Sequence, residues 1–397
     1  MIINCEKNVL AEGVNTVSKV IIAKSPVPAL EGILFEAYDG GKLKLTGSDI
    51  DVGIETFIDV EVEKEGAVIV NAKLFSEILR NLTNDVVSIE VDDKLNMHIS
   101  CGVVNFNIPC MDPKYYPSIP IFENEKSITL KRGVLFSMIR QTIFSVSVFD
   151  AKPVLKGVLF EVGKDKISLV SSDNYRLSVR HENFENKYEE DFGFIVPGKT
   201  LNEIIKMTGD PEDEVSMGIS QNYICFEFDG IRVVSKLLKG EFINYKSIIP
   251  YSFKTVCKVK TDDIKKAVER ASLLVDEKVR YPVKFSIEFD SMVVSYRKAE
   301  GHSFTDEIKI SKDGDSLEIG FNNKYVLSIL SAIDDEEILI KLNSPLASMC
   351  IKSSLSVVLR QKDGGGGAVR LRDDPELLPC AGVVGRQDAH AAADGLV

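Results

Sequence analysis

Apolar and polar positions along the chain follow two periods. In the stretch AKPVLKGVLFEVGKDKISLVSSDNYRLSV, which begins at Ala151, Leu155, Val158 and Phe160 form one apolar run, and Ile167, Leu169 and Val170 begin a second. The polar GKDK between them reads as a hairpin turn. After a mixed polar loop over 171–175, Leu177 and Val179 alternate again. This predicts two or three adjacent strands with an exposed loop. Helical spacing governs other stretches. Val9, Leu10, Val14 and Val17 share one face of KNVLAEGVNTVSK, and Leu74, Phe75, Ile78 and Leu79 are the expected buried face of a helix over about 72–82. Further helices are expected in KRGVLFSMIRQTIF from Lys131, over 199–207, in DDIKKAVERASLLVDEK from Asp262 and in NNKYVLSILSAI from Asn322.

The pattern recurs. PALEGILFEAYDGGKLKLTGSDIDVGIE, from Pro28, places Leu30, Gly32, Phe35 and Glu36 where the first stretch has Leu155, Gly157, Phe160 and Glu161, and Asp49 where it has Asp173. A weaker copy from Tyr281 keeps the alternation of Val283, Phe285 and Ile287 without the glycine and aspartate marks. The second halves repeat as well. IVNAKLFSEILRNL from Ile69, IVPGKTLNEIIKM from Ile195 and GFNNKYVLSILSAI from Gly320 each read as a strand end, a polar cap-like pair and an amphipathic helix, with Lys73, Lys199 and Lys324 in register. DPKYYPSIP and FINYKSIIP close the first two copies. Internal repeats fix architecture, and three of them divide the 397 residues into three domains, each long enough for its own core.

This threefold order, with LKGVLFE followed by SSDNYRLSV in the middle copy, resembles the bacterial DNA polymerase III beta subunit family, the replicative sliding clamps, over about residues 1–360. The resemblance implies an α+β chain with the DNA clamp fold, three repeated domains each with antiparallel sheets outside and two helices inside. Its domains would be 1–125, 126–252 and 253–360. Two subunits, head to tail, would close a ring around double-stranded DNA and tether the replicative polymerase as its processivity factor, without catalysis. The alpha subunit of that polymerase, the clamp-loader delta subunit and other proteins with clamp-binding motifs are the implied partners. The matching dimer-interface positions are Phe106 and Ile108 on one side and Leu273 and Leu274 on the other. Without the family, Phe106 and Ile108 read as plain core. The positions matching the partner-peptide pocket are Leu155, Ser172, Asn174, Tyr175, Leu177, Ile243, Ile248, Leu346, Ser348, Val357 and Leu359. Here Ser172 and Asn174 replace a common Thr and Gly, and Ile243 replaces a common Pro.

Net charge changes the picture less than it first suggests. A value of −12 argues against nucleic acid only if charge is spread evenly. The expected helices carry Lys73, Arg80, Arg140, Lys199, Lys206, Lys265, Lys266, Arg270 and Lys324, while acids cluster in strands and turns such as EVEKE and NKYEED. Exposed lysine on a helix is common, but the bias across most of the helices suits sequence-independent attraction to phosphate. Lys24, Lys73, Arg80, Arg140, Lys152, Lys199 and Lys206 are the candidate DNA-binding residues.

Catalytic chemistry is missing from the sequence. None of the four histidines has a partner at triad or metal-ligand spacing, and no P-loop, G-x-S-x-G or H-E-x-x-H occurs. The acidic pairs Asp262–Asp263 and Asp334–Asp335 read as capping or solvation at helix ends. No cofactor or metal is expected. The seven cysteines lack CxxC spacing and read as reduced thiols of a cytoplasmic protein. No signal segment or membrane span is expected. The runner-up from another class is a DNA-free, three-domain scaffold that docks peptides; an enzyme built on an acidic pair ranks below it.

Beyond Leu359 the composition shifts. Residues 361–397 are rich in Gly and Ala, with no Ile, Phe, Tyr or Asn, and are expected to be an atypical tail, disordered or foreign. The family's usual Pro-x-Arg-Leu-like ending is absent after the expected strand LSVVL, with AVRL from Ala368 a faint echo. Its loss predicts weakened peptide binding.

Overall fold

Helix and strand alternate as the periods predict. The computed structural model describes residues 1–83, 85–121, 123–148, 152–275, 283–298, 301–353 and 380–384. Among them are six α-helices: α1 (Lys7–Ser18), α2 (Ala72–Asn81), α3 (Arg132–Ile143), α4 (Gly198–Ile204), α5 (Thr261–Ser272) and α6 (Asn323–Ala332). Capping explains two of the starts. The Asn71 side chain accepts from the Leu74 amide at 3.0 Å before α2, and Asn322 accepts from the Lys324 amide at 3.0 Å before α6. Asp262 and Asp263 sit in the first turn of α5, where they complement the helix dipole.

Contacts gather the chain into two units, 1–136 with 199–237 and 137–198 with the described residues from 238 onward. The first unit holds two antiparallel sheets. One has five strands in the order Glu61–Lys64, Ile2–Glu6, Val86–Val91, Asn96–Cys101 and Val104–Pro109. The other has eight, in the order Lys126–Lys131, Glu214–Ile219, Tyr223–Phe228, Ile231–Lys236, Val52–Asp59, Lys42–Ser48, Gly32–Tyr38 and Gly66–Asn71. Strand 231–236 of the middle repeat thus pairs directly with strand 52–59 of the first, Ile231 facing Thr56 and Ser235 facing Val52. Because its strands extend more than one sheet, the middle repeat contributes to both units.

The second unit holds a nine-stranded sheet and a four-stranded one. The nine run Phe192–Pro197, Gly157–Val162, Lys166–Ser172, Arg176–Asn183, Cys380–Val384, Met349–Ser353, Glu337–Leu342, Thr255–Lys260 and Ser311–Gly314. The four run Ser303–Lys309, Ser291–Arg297, Val283–Glu288 and Leu317–Phe321. With helices packed on antiparallel sheets throughout, the fold is α+β.

The glycine marks of the first two repeats have a packing cause. A Cβ on Gly32 would lie 2.5 Å from the Ile69 side chain, and one on Gly157 would lie 2.6 Å from the Val196 carbonyl oxygen. Both open the strand that follows a one-turn 3-10 helix, and both face the end of the strand leading into the second helix of the repeat. Only glycine lets the two backbones close there.

One detail departs from the periodic reading. Leu74 is exposed rather than buried. Ala72, Phe75, Ile78 and Leu79 bury instead, and Leu74 is turned by about 100° from Phe75 about the helix axis. Within residues 361–397, the described segment Cys380–Val384 forms a strand. Its Gly- and Ala-rich composition carries no alternation, and its place comes from the two strands that flank it.

Candidate functional site

Leu155, Ser172, Asn174, Tyr175, Leu177, Ile243, Ile248, Leu346 and Ser348 all lie in the second unit, while Val357 and Leu359 fall outside the described residues. Leu155 is fully buried against Val154 and Ile195, and Leu177 against Val170, Val179 and Tyr245. Leu159, Phe242 and Ile243 pack on both groups and join them into one apolar floor. Ile248 and Leu346 are about half exposed, at 49% and 52%. A buried floor with exposed apolar groups suits capture of an extended peptide by its apolar side chains.

The polar part of the site is the turn 172–176. Ser172 donates to the Arg176 carbonyl at 2.8 Å and accepts from the Asn174 amide at 3.3 Å. Asp173 Oδ1 accepts from the amides of Tyr175 and Arg176 at 3.0 and 2.7 Å. Asn174 takes a φ of 69°, a left-handed conformation that asparagine tolerates. Tyr175, 40% exposed, stacks on Tyr325 of α6 with ring centres 5.8 Å apart.

Arg176 ties this turn to α6, and sequence reasoning passed over it. Its guanidinium donates twice to Asp173 Oδ2, at 3.0 and 2.7 Å, and once to Ser328 Oγ at 2.5 Å. It also lies over the Tyr325 ring at 4.4 Å and the Phe144 ring at 5.7 Å. A planar cation with fixed donors fills such a site better than lysine would. Phe242 and Tyr245 were also missed, both inside the FINYKSIIP repeat mark. The buried Tyr245 hydroxyl donates to Glu161, and burial first, then the Glu161 carboxylate, raises its pKa well above the usual phenol range.

The candidate DNA-binding residues Lys24, Lys73, Arg80, Arg140, Lys152, Lys199 and Lys206 are all exposed. Arg140 meets Asp334 at 2.9 Å, Lys206 meets Glu203 at 2.8 Å, and Lys199 pairs with Asp49. Asp335, beside Asp334, is buried rather than solvated, and desolvation raises its carboxyl pKa, with Arg180 opposing. Arg132 at the start of α3 faces no solvent. It is buried between Asp213 and Asp229 and lies over the Phe228 ring at 5.0 Å.

Of the candidate interface residues, Leu273 is 84% exposed at the end of α5, and Leu274 is half-buried against the core. Phe106 is half-buried and Ile108 is buried within its own sheet, on the strand that ends it. Among the described residues no cluster of His, Cys, Asp or Glu is placed to hold a metal ion. No described helix is long and apolar enough to cross a membrane.

Three family models match consecutive stretches of the chain. They describe the DNA polymerase III beta subunit N-terminal domain, over residues 1–120, central domain, over 129–244, and C-terminal domain, over 246–361. The beta sliding clamp of Bacillus subtilis is 30% identical over 358 residues, covering 88% of this chain and 94% of that protein. That of Halalkalibacterium halodurans is 32% identical over 346 residues, covering 84% and 90%. Among solved structures, a putative DNA polymerase III beta subunit from Eubacterium rectale superposes with a TM-score of 0.84 at 35% identity, covering 89% of this chain and 96% of that one. The Bacillus subtilis clamp structure gives 0.87 at 28%, covering 97% and 98%.

Proposed function

The chain belongs to the DNA polymerase III beta subunit family, the beta sliding clamps, and from that premise we propose that two copies close head to tail into a ring around duplex DNA. It is a processivity factor of DNA polymerase III and a non-catalytic subunit in DNA replication. DNA and the polymerase are its partners. A weak polymerase–DNA contact becomes intramolecular once the polymerase is tethered, and its effective concentration rises accordingly. The ring works in the cytoplasm, with domains close to 1–125, 126–252 and 253–360, and is loaded through the clamp-loader delta subunit.

The observation that carries ring closure is a pair of strand edges. Val104–Pro109 ends the five-stranded sheet of one unit and Ser303–Lys309 ends the four-stranded sheet of the other. An unpaired edge is a template for a strand from another chain. Exposed Leu273 adds apolar area, worth roughly 25 cal/mol per Å² once buried. Light scattering should give a mass near twice the 44.0 kDa of one chain. Leu273→Ala with Leu274→Ala should shift the protein toward monomer, and an undiminished dimer at nanomolar concentration would remove these residues from the interface.

The exposed basic residues Lys24, Lys73, Arg80, Arg140, Lys152, Lys199 and Lys206 face phosphate without reading bases, which permits sliding. Reversing Arg80 and Lys199 to Glu should weaken DNA contact and flatten its salt dependence. Loading and sliding that survive both reversals at physiological salt would assign the lining elsewhere. The apolar floor joining Leu155, Leu177 and Ile243 receives short motifs of the polymerase alpha subunit and other partners, with Ser172, Asn174, Tyr175, Ile248, Leu346 and Ser348 around it. Calorimetry with a polymerase-derived motif peptide should show binding that Leu177→Ala weakens at least tenfold. Equal binding by both would misplace the pocket.

A further inference from the structure

The segment that supplies Ile243 and Ile248 to the peptide site is organised around the tyrosine between them. The Tyr245 amide donates to the Ile243 carbonyl at 2.7 Å, and the Tyr245 carbonyl accepts from the Ile248 amide at 3.0 Å. Asn244, at φ −73° and ψ 77°, makes the first of these an inverse γ-turn. Residues 245–247 form a single 3-10 turn. So short an element has little stability of its own, and its place comes from what it packs against.

Tyr245 holds the segment to the sheet by its ring and by its hydroxyl. The ring is buried against Val170, Leu177 and Val179. The hydroxyl donates to Glu161 Oε2. Leu159 and Glu161 are two residues apart on strand Gly157–Val162 and so share a face. Leu159 packs against Phe242 and Ile243, so the segment meets that face at one apolar point and one polar point. A hydrogen bond to a carboxylate is stronger than one between neutral groups. Lys246 is a looser neighbour of the same carboxylate: its ammonium stands 3.7 Å from Oε1, and its side chain is 71% exposed. The first repeat closes on a tyrosine too. Buried Tyr116, in DPKYYPSIP, donates to the Thr46 carbonyl at 3.1 Å. There the acceptor is backbone, which any residue supplies. In the second repeat it is the Glu161 side chain, which the sequence has to specify.

We infer that Glu161 and Tyr245 are positioning residues for the peptide pocket: their hydrogen bond fixes 242–248 so that Ile243 and Ile248 are in place before an extended partner motif arrives. This role rests on the pocket proposed above. A pocket ordered beforehand spares the partner the entropy of ordering it. A pocket populated only part of the time loses affinity in proportion to the missing fraction.

The test is calorimetry with the polymerase-derived motif peptide on the full chain and its variants. Tyr245→Phe removes one oxygen and keeps the ring in the core. It and Glu161→Ala should each weaken binding about fivefold. The double variant should bind no more weakly than the worse single, because both remove the same bond. Glu161→Gln keeps an acceptor oxygen and should bind more tightly than E161A. Lys246→Ala should stay within about twofold of the unaltered chain, since an exposed ammonium contributes little. Hydrogen exchange over 243–248 should speed up in Y245F and E161A, while 166–172 stays protected and reports folding. Undiminished binding by Y245F, or single losses that multiply in the double variant, would overturn the positioning role. So would a K246A loss as large as that of Y245F, which would assign the effect to charge. Failure of the unaltered chain to bind would overturn the pocket instead. Exchange over 243–248 would then still decide the bond, and an unchanged rate in Y245F would overturn it as the hold on this segment.

Discussion

The turns 48–52 and 172–176 are two copies of one device, one in each unit. Ser48 donates to the Val52 carbonyl at 3.2 Å and accepts from the Ile50 amide at 3.3 Å, as Ser172 does with Arg176 and Asn174. Asp49 Oδ1 accepts from the amides of Asp51 and Val52 at 3.1 and 2.8 Å, as Asp173 does from Tyr175 and Arg176. Ile50 and Asn174 both take positive φ, 85° and 69°. The copies differ at the outer carboxylate oxygen. Asp49 Oδ2 meets Lys199 at the start of α4, whereas Asp173 Oδ2 meets Arg176 of its own turn, which reaches on to α6. One frame therefore supports two kinds of attachment: an ammonium on a half-exposed stem, and a guanidinium held between rings.

The largest effect that would break this contrast is at Arg176. Its side chain is 11% exposed and that of Asp173 10%, so the pair is nearly out of water. Arg176→Ala leaves the Asp173 charge without its partner and removes the contacts to Ser328, Phe144 and Tyr325. Denaturant unfolding should show a loss of about 3 kcal/mol. A loss below about 1 kcal/mol would make the pair no stronger than a surface bridge. Tyr325→Ala should come next, at about 2 kcal/mol, because it removes the ring beneath both Arg176 and Tyr175.

Sequence reasoning found the frame and missed its attachments. Repeat alignment matched Asp49 with Asp173 and Lys73 with Lys199 and Lys324, because the first two copies close the same turn and all three start a helix at the same place. The six helices of the described residues fall where apolar spacing, in the first repeat, and repeat alignment, in the others, place them. Arg176, between Tyr175 and Leu177, read as an outward polar position of an alternating strand. Its partners Phe144 and Tyr325 lie 32 and 149 residues away in sequence, and no local pattern announces them. Arg132 was hidden in the same way, since Asp213 and Asp229 come from another hairpin. The strand at Cys380–Val384 was illegible because its pairing is set by the edges of strands 176–183 and 349–353.

The positive-φ positions sharpen the comparison at smaller cost. A β-branched side chain in the left-handed region is strained by roughly 1–2 kcal/mol, whereas asparagine tolerates it. Ile50 is 61% exposed, so little packing offsets that strain. Exchanging the residues should therefore act in opposite directions: Ile50→Asn should stabilise by about 1 kcal/mol, and Asn174→Ile should destabilise by about as much. Thermal unfolding followed separately for each unit by hydrogen exchange would check both. Equal and same-signed effects would mean that the two turns do not share a backbone.

The smallest stability effect is expected at Lys199, where the functional effect need not be small. Its side chain is 54% exposed, against 11% for Arg176, so water can take the place of the ammonium beside Asp49, which keeps its two backbone amides as Asp173 does. Solvent screening of the ammonium and the entropy of its four-carbon stem leave such a pair little net worth. Lys199→Ala should change unfolding free energy by no more than about 0.5 kcal/mol. An ammonium held so lightly can leave Asp49 for a phosphate, and losing one phosphate contact should lower the slope of log affinity against log salt by about 0.9. Lys199→Ala should thus leave the fold intact and reduce the salt dependence of DNA binding, the reverse of the profile expected for Arg176→Ala. A stability loss with an unchanged salt slope would make Lys199 a structural partner of Asp49 and remove it from the DNA-facing set.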